Sequence, residues 1–292
     1  MLRAQKGLVN RIWLSVYNAA GSAGTPDDLP TVTVTSARSN TELLSDVDAT
    51  TQQTGLYYYD LSPSTPSSGG VTEVLDELTV EWSYTLNGAD QTVEDSILVV
   101  QDRLASTLAI DDRLNRGGTA SEYGVRELAA ALQYAEVAFE EACGRSFTRK
   151  WRSLTVDGSG SRNLFVPDYP LQELLTATVD GVALDVSDLT VYDGGYIRNP
   201  GGWSCGDGNV TLTYEYGMKS VPPPVQRAVS LIAASVLADG PWDDRGFGVT
   251  TDGGYVRLLT AGVSGAAFSI PEVQAAVVEY RRKHNLLGVR VA

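Results

Sequence analysis

Apolar and polar positions alternate along the chain with two different periods. Over residues 1–101 the period is two, which is typical of half-buried strands. Asn87-Gly88 lies between two of the alternating runs and favours a type I′ hairpin turn. We therefore predict an antiparallel β-sandwich that resembles an immunoglobulin-like module without cysteines. The alternating runs are RIWLSVYNA, TVTVTSA, GLYYYDLS, LTVEWSYTL and QTVEDSILVV.

A helical period replaces the alternation after a short helix and linker that we predict over residues 102–118. Within residues 119–143, apolar residues recur at steps of three and four and so share one helix face. Thr119 and Glu122 predict a capping box, and Gly144 predicts the helix end. A stripe of this length requires a partner, and two later helices are the candidates. The apolar positions are Leu128, Leu132, Ala135, Phe139 and Ala142; the polar positions, mostly on the other side, are Glu122, Arg126, Glu127, Gln133, Glu136 and Glu140.

Alternation returns over residues 146–217, which we predict to be a small β-sheet inserted into a helical domain spanning residues 119–292. Asp157-Gly158 and Asp180-Gly181 are predicted turns between its strands. Basic residues gather just after the long helix, where cations complement the helix dipole, and a contact between subunits is the alternative interpretation. These residues are Arg145, Arg149, Lys150 and Arg152.

Two further helices follow the predicted insertion. The first begins at the prolines 222–224, because proline suits the first turn of a helix, and continues to Asp239. The second begins after a predicted capping box of Ser269 and Glu272, beyond a Gly-rich segment that we expect to be mobile. The tail LLGVRVA alternates like an edge strand. The predicted fold class is therefore α+β: an N-terminal antiparallel β-sandwich, then a small helical bundle carrying an inserted sheet.

Composition and charge restrict the function. A chain of 292 residues with 43% hydrophobic and 20% charged residues fits a folded protein of two domains. The net charge of −14 opposes general DNA binding, and no apolar run is long enough to predict a membrane span. Of the two cysteines, Cys143 is predicted to be a core residue and Cys205 to lie in a Gly-rich loop. A disulfide between them stays open.

Most patterns typical of enzyme sites are missing from the sequence. His284, the single histidine, is predicted to be a solvated surface residue, and neither a Walker loop nor a dinucleotide fingerprint occurs. The pentapeptide GWSCG matches the nucleophile elbow around Ser204, but that motif requires a turn from a strand into a helix, and a strand follows here. We expect no enzyme activity and no cofactor.

Acidic pairs and aromatic residues leave two binding hypotheses. Asp243 with Asp244, or Asp193 with Asp207, could bind calcium weakly, although solvated loops explain them better and we predict no metal site. Aromatic side chains on the sandwich could form a carbohydrate- or surface-binding module, whereas core packing is the competing interpretation. The aromatic residues concerned are Tyr57, Tyr58, Tyr59, Trp82 and Tyr84.

Four segments follow one another over residues 119–285: a helix that ends in a Gly-Arg pair, a run of strands, a strand that leads into a proline-started helix, and a closing helix. Their sequences are EEACGRSFTRKWRSLTVDG, NLFVPDYPLQELLTATVDGVAL, NVTLTYEYGMKSVPPPVQRAVSLIAASVLAD and FSIPEVQAAVVEYRR. This order of motifs resembles the head–tail connector (adaptor) family of long-tailed bacteriophages. The resemblance does not include the N-terminal sandwich.

The resemblance implies a structural protein of the virion neck, at the head–tail junction, assembled in the host cytoplasm. Such proteins form a homo-oligomeric ring, usually of twelve subunits, beneath the portal protein. The ring extends the channel for DNA, which passes without sequence-specific binding, and a stopper or tail-completion protein docks on it. From the alternating tail we predict the portal-binding residues, and we expect the sandwich to lie outside the ring. The predicted residues are Tyr280, Arg281, Arg282, Lys283, Leu286, Leu287, Val289, Arg290 and Val291.

Overall fold

The α+β fold is confirmed by a computed structural model, which describes residues 2–63, 70–114, 123–239, 248–251, 254–257, 268 and 270–281. The chain divides into two compact units. The first consists of Met1–Asp102 and Thr148–Met218, and the second of Arg103–Phe147 and Lys219–Ala292. The sheet predicted as an insertion into the helical domain is therefore grouped with the N-terminal sheets, and the helices form a unit of their own.

Eight strands form the N-terminal sandwich as one sheet of five strands, ordered β1-β8-β7-β3-β4, and one of three, ordered β2-β6-β5. Setting β1 aside, this is the G-F-C-C′ and B-E-D strand order of immunoglobulin-type sandwiches. The strands are β1 (Leu2–Gln5), β2 (Asn10–Ser15), β3 (Thr31–Ser36), β4 (Thr41–Asp48), β5 (Thr50–Gln53), β6 (Leu56–Leu61), β7 (Asp76–Leu86) and β8 (Ala89–Val100).

Alternate residues of both sheets meet in one apolar core, as the period of two requires. Val32, Val80 and Trp82 from the larger sheet pack in the same cluster as Leu14 and Leu61 from the smaller one. The Asn87-Gly88 turn is confirmed, because both residues have positive φ between β7 and β8. The antiparallel prediction fails only at β1, which pairs parallel to β8.

The first unit also contains two smaller sheets, ordered β10-β14-β13 and β12-β11-β15-β9, which share a second apolar core around Trp203 and Tyr214. Asp180 and Gly181 both have positive φ between β11 and β12, which confirms that turn. The turn predicted at Asp157-Gly158 is wrong, since Gly158 ends β9 and pairs with β15. The strands are β9 (Lys150–Gly158), β10 (Asn163–Phe165), β11 (Leu171–Val179), β12 (Val182–Leu184), β13 (Thr190–Tyr192), β14 (Tyr196–Arg198) and β15 (Gly206–Tyr216).

The second unit is built from helices that lie far apart in sequence. α3 packs against each of the others, and α2 also contacts α1 and α4. Phe139, Ile232 and Val277, one from each of α2, α3 and α4, are buried. The prediction that helices on either side of a sheet segment pack together is confirmed. The helices are α1 (Thr107–Leu114), α2 (Val125–Cys143), α3 (Pro223–Asp239) and α4 (Pro271–Tyr280).

The ends of α2 and α4 differ in part from their predictions. α2 begins at Val125, where the Gly124 N–H donates to the Glu127 carboxylate, and the predicted capping pair of Thr119 and Glu122 lies outside the described residues. Gly144 ends α2 in the left-handed region, as predicted. The N-cap of α4 is Ile270, without a side-chain hydrogen bond, and Ser269 of the predicted capping box lies outside the described residues.

Two carboxylates of α2 occupy positions opposite to those expected. Glu136 and Glu140 are buried, although they were predicted on the polar side. The Glu136 carboxylate accepts hydrogen bonds from Arg103 Nε, at 2.9 and 3.0 Å, and from the Leu104 N–H at 2.7 Å. Glu136 therefore fixes the backbone at Leu104, within the second unit.

Within the Gly-rich segment expected to be mobile, the structure describes a short antiparallel pair, β16 (Gly248–Thr251) with β17 (Gly254–Arg257). None of the helices in the described ranges has the length and apolar character needed to cross a membrane.

Candidate partner-binding site

One end of the helical unit brings together residues from the two sets that the sequence nominated separately. Arg145 follows the last turn of α2, and Tyr280 and Arg281 close α4. Phe147 lies between them: its ring centroid is 5.7 Å from the Arg145 guanidinium carbon and 5.8 Å from the Tyr280 ring, which it meets edge-on. The result is a cluster of aromatic rings and guanidinium groups, which we call the basic end and define by these four residues.

Glu140 holds the turn that carries Arg145 and Phe147. Its buried Oε1 accepts a hydrogen bond from Ser146 Oγ at 3.0 Å and from the Phe147 N–H at 2.8 Å. The Phe147 ring is fully buried beside Phe139, with 5.3 Å between the ring centroids. Because hydrogen bonds to a charged acceptor are among the stronger ones, the turn is held against the core of the helices.

The electrostatics of the basic end affect two titratable groups. Burial raises the pKa of the Cys143 thiol to about 12, although the Arg145 and Arg281 guanidinium groups act in the opposite direction. Burial also raises the pKa of the Tyr280 phenol, and the Glu279 carboxylate adds to this shift. Both groups are therefore neutral at pH 7, and the charge of the basic end comes from its two arginines.

The remaining basic candidates lie in the first unit, Arg149 just before β9 and Lys150 and Arg152 within it, and they interact with their own chain. Arg149 Nη2 lies 2.7 Å from a Glu215 carboxylate oxygen, and Arg152 Nη1 lies 2.9 Å from Asp168. Lys150 is buried, so its ammonium group is not presented to a neighbouring copy. Arg149 and Arg152 are therefore paired with carboxylates of the first unit, and for these three residues both the dipole interpretation and the subunit contact stay predictions.

Neither family models nor curated protein sequences give a match to this chain. Of the nine residues predicted to bind the portal protein, Tyr280 and Arg281 are described, and Arg281 is exposed. The other seven, Arg282, Lys283, Leu286, Leu287, Val289, Arg290 and Val291, lie outside the described residues, as does His284.

The geometry around Ser204 does not have the form of a nucleophile elbow. Ser204 is exposed in a loop between the buried Trp203 and β15, so the segment enters a strand and not a helix. The strand-to-helix turn that exposes a nucleophilic serine is missing at this position. Among the described residues, no group of three or more His, Cys, Asp or Glu side chains is placed to hold a metal ion; Asp243 and Asp244 lie outside them.

The aromatic face considered for carbohydrate binding is divided between core and surface. Trp82 and Tyr57 are buried in the sandwich core, while Tyr58 lies on the other side of its strand. The Arg11 guanidinium carbon is 3.8 Å from the Tyr58 ring centroid, and Arg11 also forms an ion pair with Asp60. The side chain therefore already covers the Tyr58 ring, and these aromatics do not form one exposed plane.

The two cysteines are free thiols in different environments, Cys143 buried and Cys205 exposed. We expect one thiol per folded chain to react with an aromatic disulfide reagent at pH 8, and two after denaturation. Burial and the raised pKa of Cys143 both keep its reactive thiolate scarce. The Cys205→Ser variant is the control and should show no reactive thiol when folded; two equivalents in the folded wild type would contradict the assignment.

Proposed function

We propose that this chain is a structural protein of the bacteriophage neck, with no enzymatic activity. Its copies form a ring, most simply of twelve, that binds the portal protein, extends the DNA channel and provides the surface on which a stopper or tail protein docks. The sandwich lies on the outside of this ring, and density for it lining the channel would reject that placement. The net charge of −14 supports passage of DNA without adhesion.

The observation that carries the proposal is the packing of α2, α3 and α4. These helices contain the segments whose order resembles the head–tail connector family, and seventy-nine intervening residues separate Cys143 from Pro223. They nevertheless pack into one apolar core, to which Phe139, Ile232 and Val277 contribute. Interleaving helices with a separate sheet segment is the arrangement that the resemblance implies.

The basic end supports a partner site at the closing helix. Arg145 and Arg281 are held there by a rigid turn and by the end of α4, respectively, and the chain continues directly into the alternating tail. A tail of this pattern can add a strand to a partner sheet, with backbone hydrogen bonds giving affinity and alternate side chains giving specificity. The proposed contact is therefore a strand with one apolar side beside a cluster of guanidinium groups.

Removal of residues 285–292 should leave the melting temperature of the chain unchanged and abolish its co-sedimentation with portal particles. A sharper version replaces Leu287 and Val289 together by Asp in the full-length chain, because both belong to the apolar side of the alternation. The matched control replaces Gly288 and Arg290 by Ser on the other side. Full portal binding by the truncated chain, or equal loss in the control, would contradict the proposed contact.

A further inference from the structure

An aromatic row crosses the outward face of the small sheet β10-β14-β13. Phe165 is opposite Tyr196, and Tyr196 is opposite Tyr192, so the three side chains are cross-strand neighbours. The flanking residues Leu164 and Ile197 are buried in the core behind the sheet. The row therefore faces away from that core, and Phe165 is 65% exposed at one end of it.

The rings in this row are stacked on one another. The Tyr192 and Tyr196 centroids are 4.4 Å apart with an interplanar angle of 10°, and Phe165 is 5.7 Å from Tyr196 at a tilted angle. Each stacked tyrosine covers one face of the other, which reduces the ring face open to a flat ligand, and the exposed Phe165 adds a protruding phenyl group. A sugar ring or nucleobase needs an open ring face, whereas a protein surface can pack on edges.

One cation shares the face of the aromatic row. Arg198 follows the Tyr196 position by two residues on β14, so it lies on the same face of the sheet, and it is exposed. Its guanidinium has no ion-pair partner among the described residues, in contrast to Arg149 and Arg152. Tyrosine, phenylalanine and arginine are the residues enriched at the centres of protein interfaces.

A complementary surface exists on the same chain, on the outward face of the five-stranded sheet. Glu81 on β7 is directly opposite Glu94 on β8, and both side chains are exposed. Like charges in this register destabilise a sheet, and no cation pairs with either carboxylate in the described part of the chain. A guanidinium group supplied from outside would relieve this repulsion.

We propose that the aromatic row with Arg198 docks on the Glu81–Glu94 face of a second copy of this chain. The two surfaces have opposite charge, and a contact between different faces of successive copies is the head-to-tail type that closes into rings. This contact rests on the proposed function in one respect: in the proposed ring it is the interface between neighbouring subunits. If these faces bind a different protein and not a second copy, the purified chain will stay monomeric in the test.

Sedimentation velocity of the full-length chain at increasing concentration tests this contact. Phe165→Ser should raise the dissociation constant for self-association roughly thirtyfold, the effect of losing an interface hot spot. The matched control is Val182→Ser on β12, because Val182 is 66% exposed on another sheet and should leave the constant unchanged. Wild-type association should also weaken with added salt, which requires no variant.

Charge reversal makes the test specific to the two faces. The variant R198E and the double variant E81K/E94K should each weaken self-association at least tenfold, and one chain carrying all three changes should regain it. Wild-type chains that remain monomeric, or Phe165→Ser and charge-reversed chains that associate normally, would overturn the contact. A chain that associates through these faces and yet ignores portal particles would instead contradict the proposed function and leave the contact standing.

Discussion

Phe139→Ala should lower the free energy of unfolding of the helical unit by about 4 kcal/mol. The Phe139 side chain is fully buried in α2, beside Phe147, and removal of a buried phenyl group costs both its transfer free energy and the cavity that remains. Urea denaturation followed by helical circular dichroism measures the change. This substitution tests the packing on which the proposed function depends.

Val125→Ala on the same helix is the matched control for Phe139→Ala. Val125 is 75% exposed, so the substitution should change the free energy of unfolding by no more than about 0.5 kcal/mol. Equal small effects at both positions would show that the apolar stripe of α2 is not buried. The common core of the three helices would then be wrong.

The second large effect is expected at Glu136, a charged residue at the centre of an apolar helix face. Glu136→Ala should destabilise the second unit by about 3 kcal/mol, because it leaves Arg103 and the Leu104 N–H without their shared acceptor. Arg103 has 18% of its side chain exposed, which places the expected cost at the lower end of the range for buried pairs. The measurement is the same urea titration.

Glu141→Ala serves as the control for the buried carboxylate. Glu141 is exposed on α2, five residues after Glu136, and its removal should cost less than about 0.5 kcal/mol. A cost at Glu136 no larger than that at Glu141 would contradict the burial of this ion pair. A larger cost would establish that α2 anchors the backbone at Leu104.

Local periodicity was sufficient to find the strands and helices whose apolar faces are buried. In β3 and β7, every second side chain enters the sandwich core, and the pattern is therefore written in the sequence. β4 and β5 escaped prediction, because their residues are mostly exposed at the sheet edges and show no alternation of burial.

The spacing of residues along α2 indicates that two of its carboxylates are buried, although glutamate is a residue type that is normally predicted to be exposed. Leu128, Leu132, Glu136 and Glu140 recur at steps of four, so the glutamates continue a buried row of the helix. Charged residues are normally exposed, and they are buried only where a partner compensates the free energy lost when the charge leaves water. The partners, Arg103 and Ser146, come from segments whose placement depends on the tertiary structure.

No local sequence pattern predicts that the second pair of sheets is grouped with the sandwich. Backbone hydrogen bonds join the end of the sandwich to the start of β9: the Gln101 N–H donates to the Arg149 carbonyl, and the Asp102 N–H to Thr148 Oγ1. These contacts join residues almost fifty positions apart. Periodicity reports which face of an element is buried and not which element covers it.

The candidate site could likewise be predicted only in part: most of its residues were identified from the sequence, but their proximity was not. Arg145 and Tyr280 were each nominated from the sequence, but the tertiary packing of α2 and α4 is what brings both against Phe147. The aromatic row across β10, β14 and β13 was not predicted, because two of these three-residue strands lie in a Gly-rich stretch without a clear alternating run.

Native mass spectrometry of the purified chain, alone and mixed with portal particles, measures whether its copies assemble into a ring that binds the portal. We expect closed assemblies whose mass is a multiple of 31.2 kDa, with twelve copies added to each portal ring. A species of 31.2 kDa in both samples at every concentration, with the portal mass unchanged, would contradict this expectation.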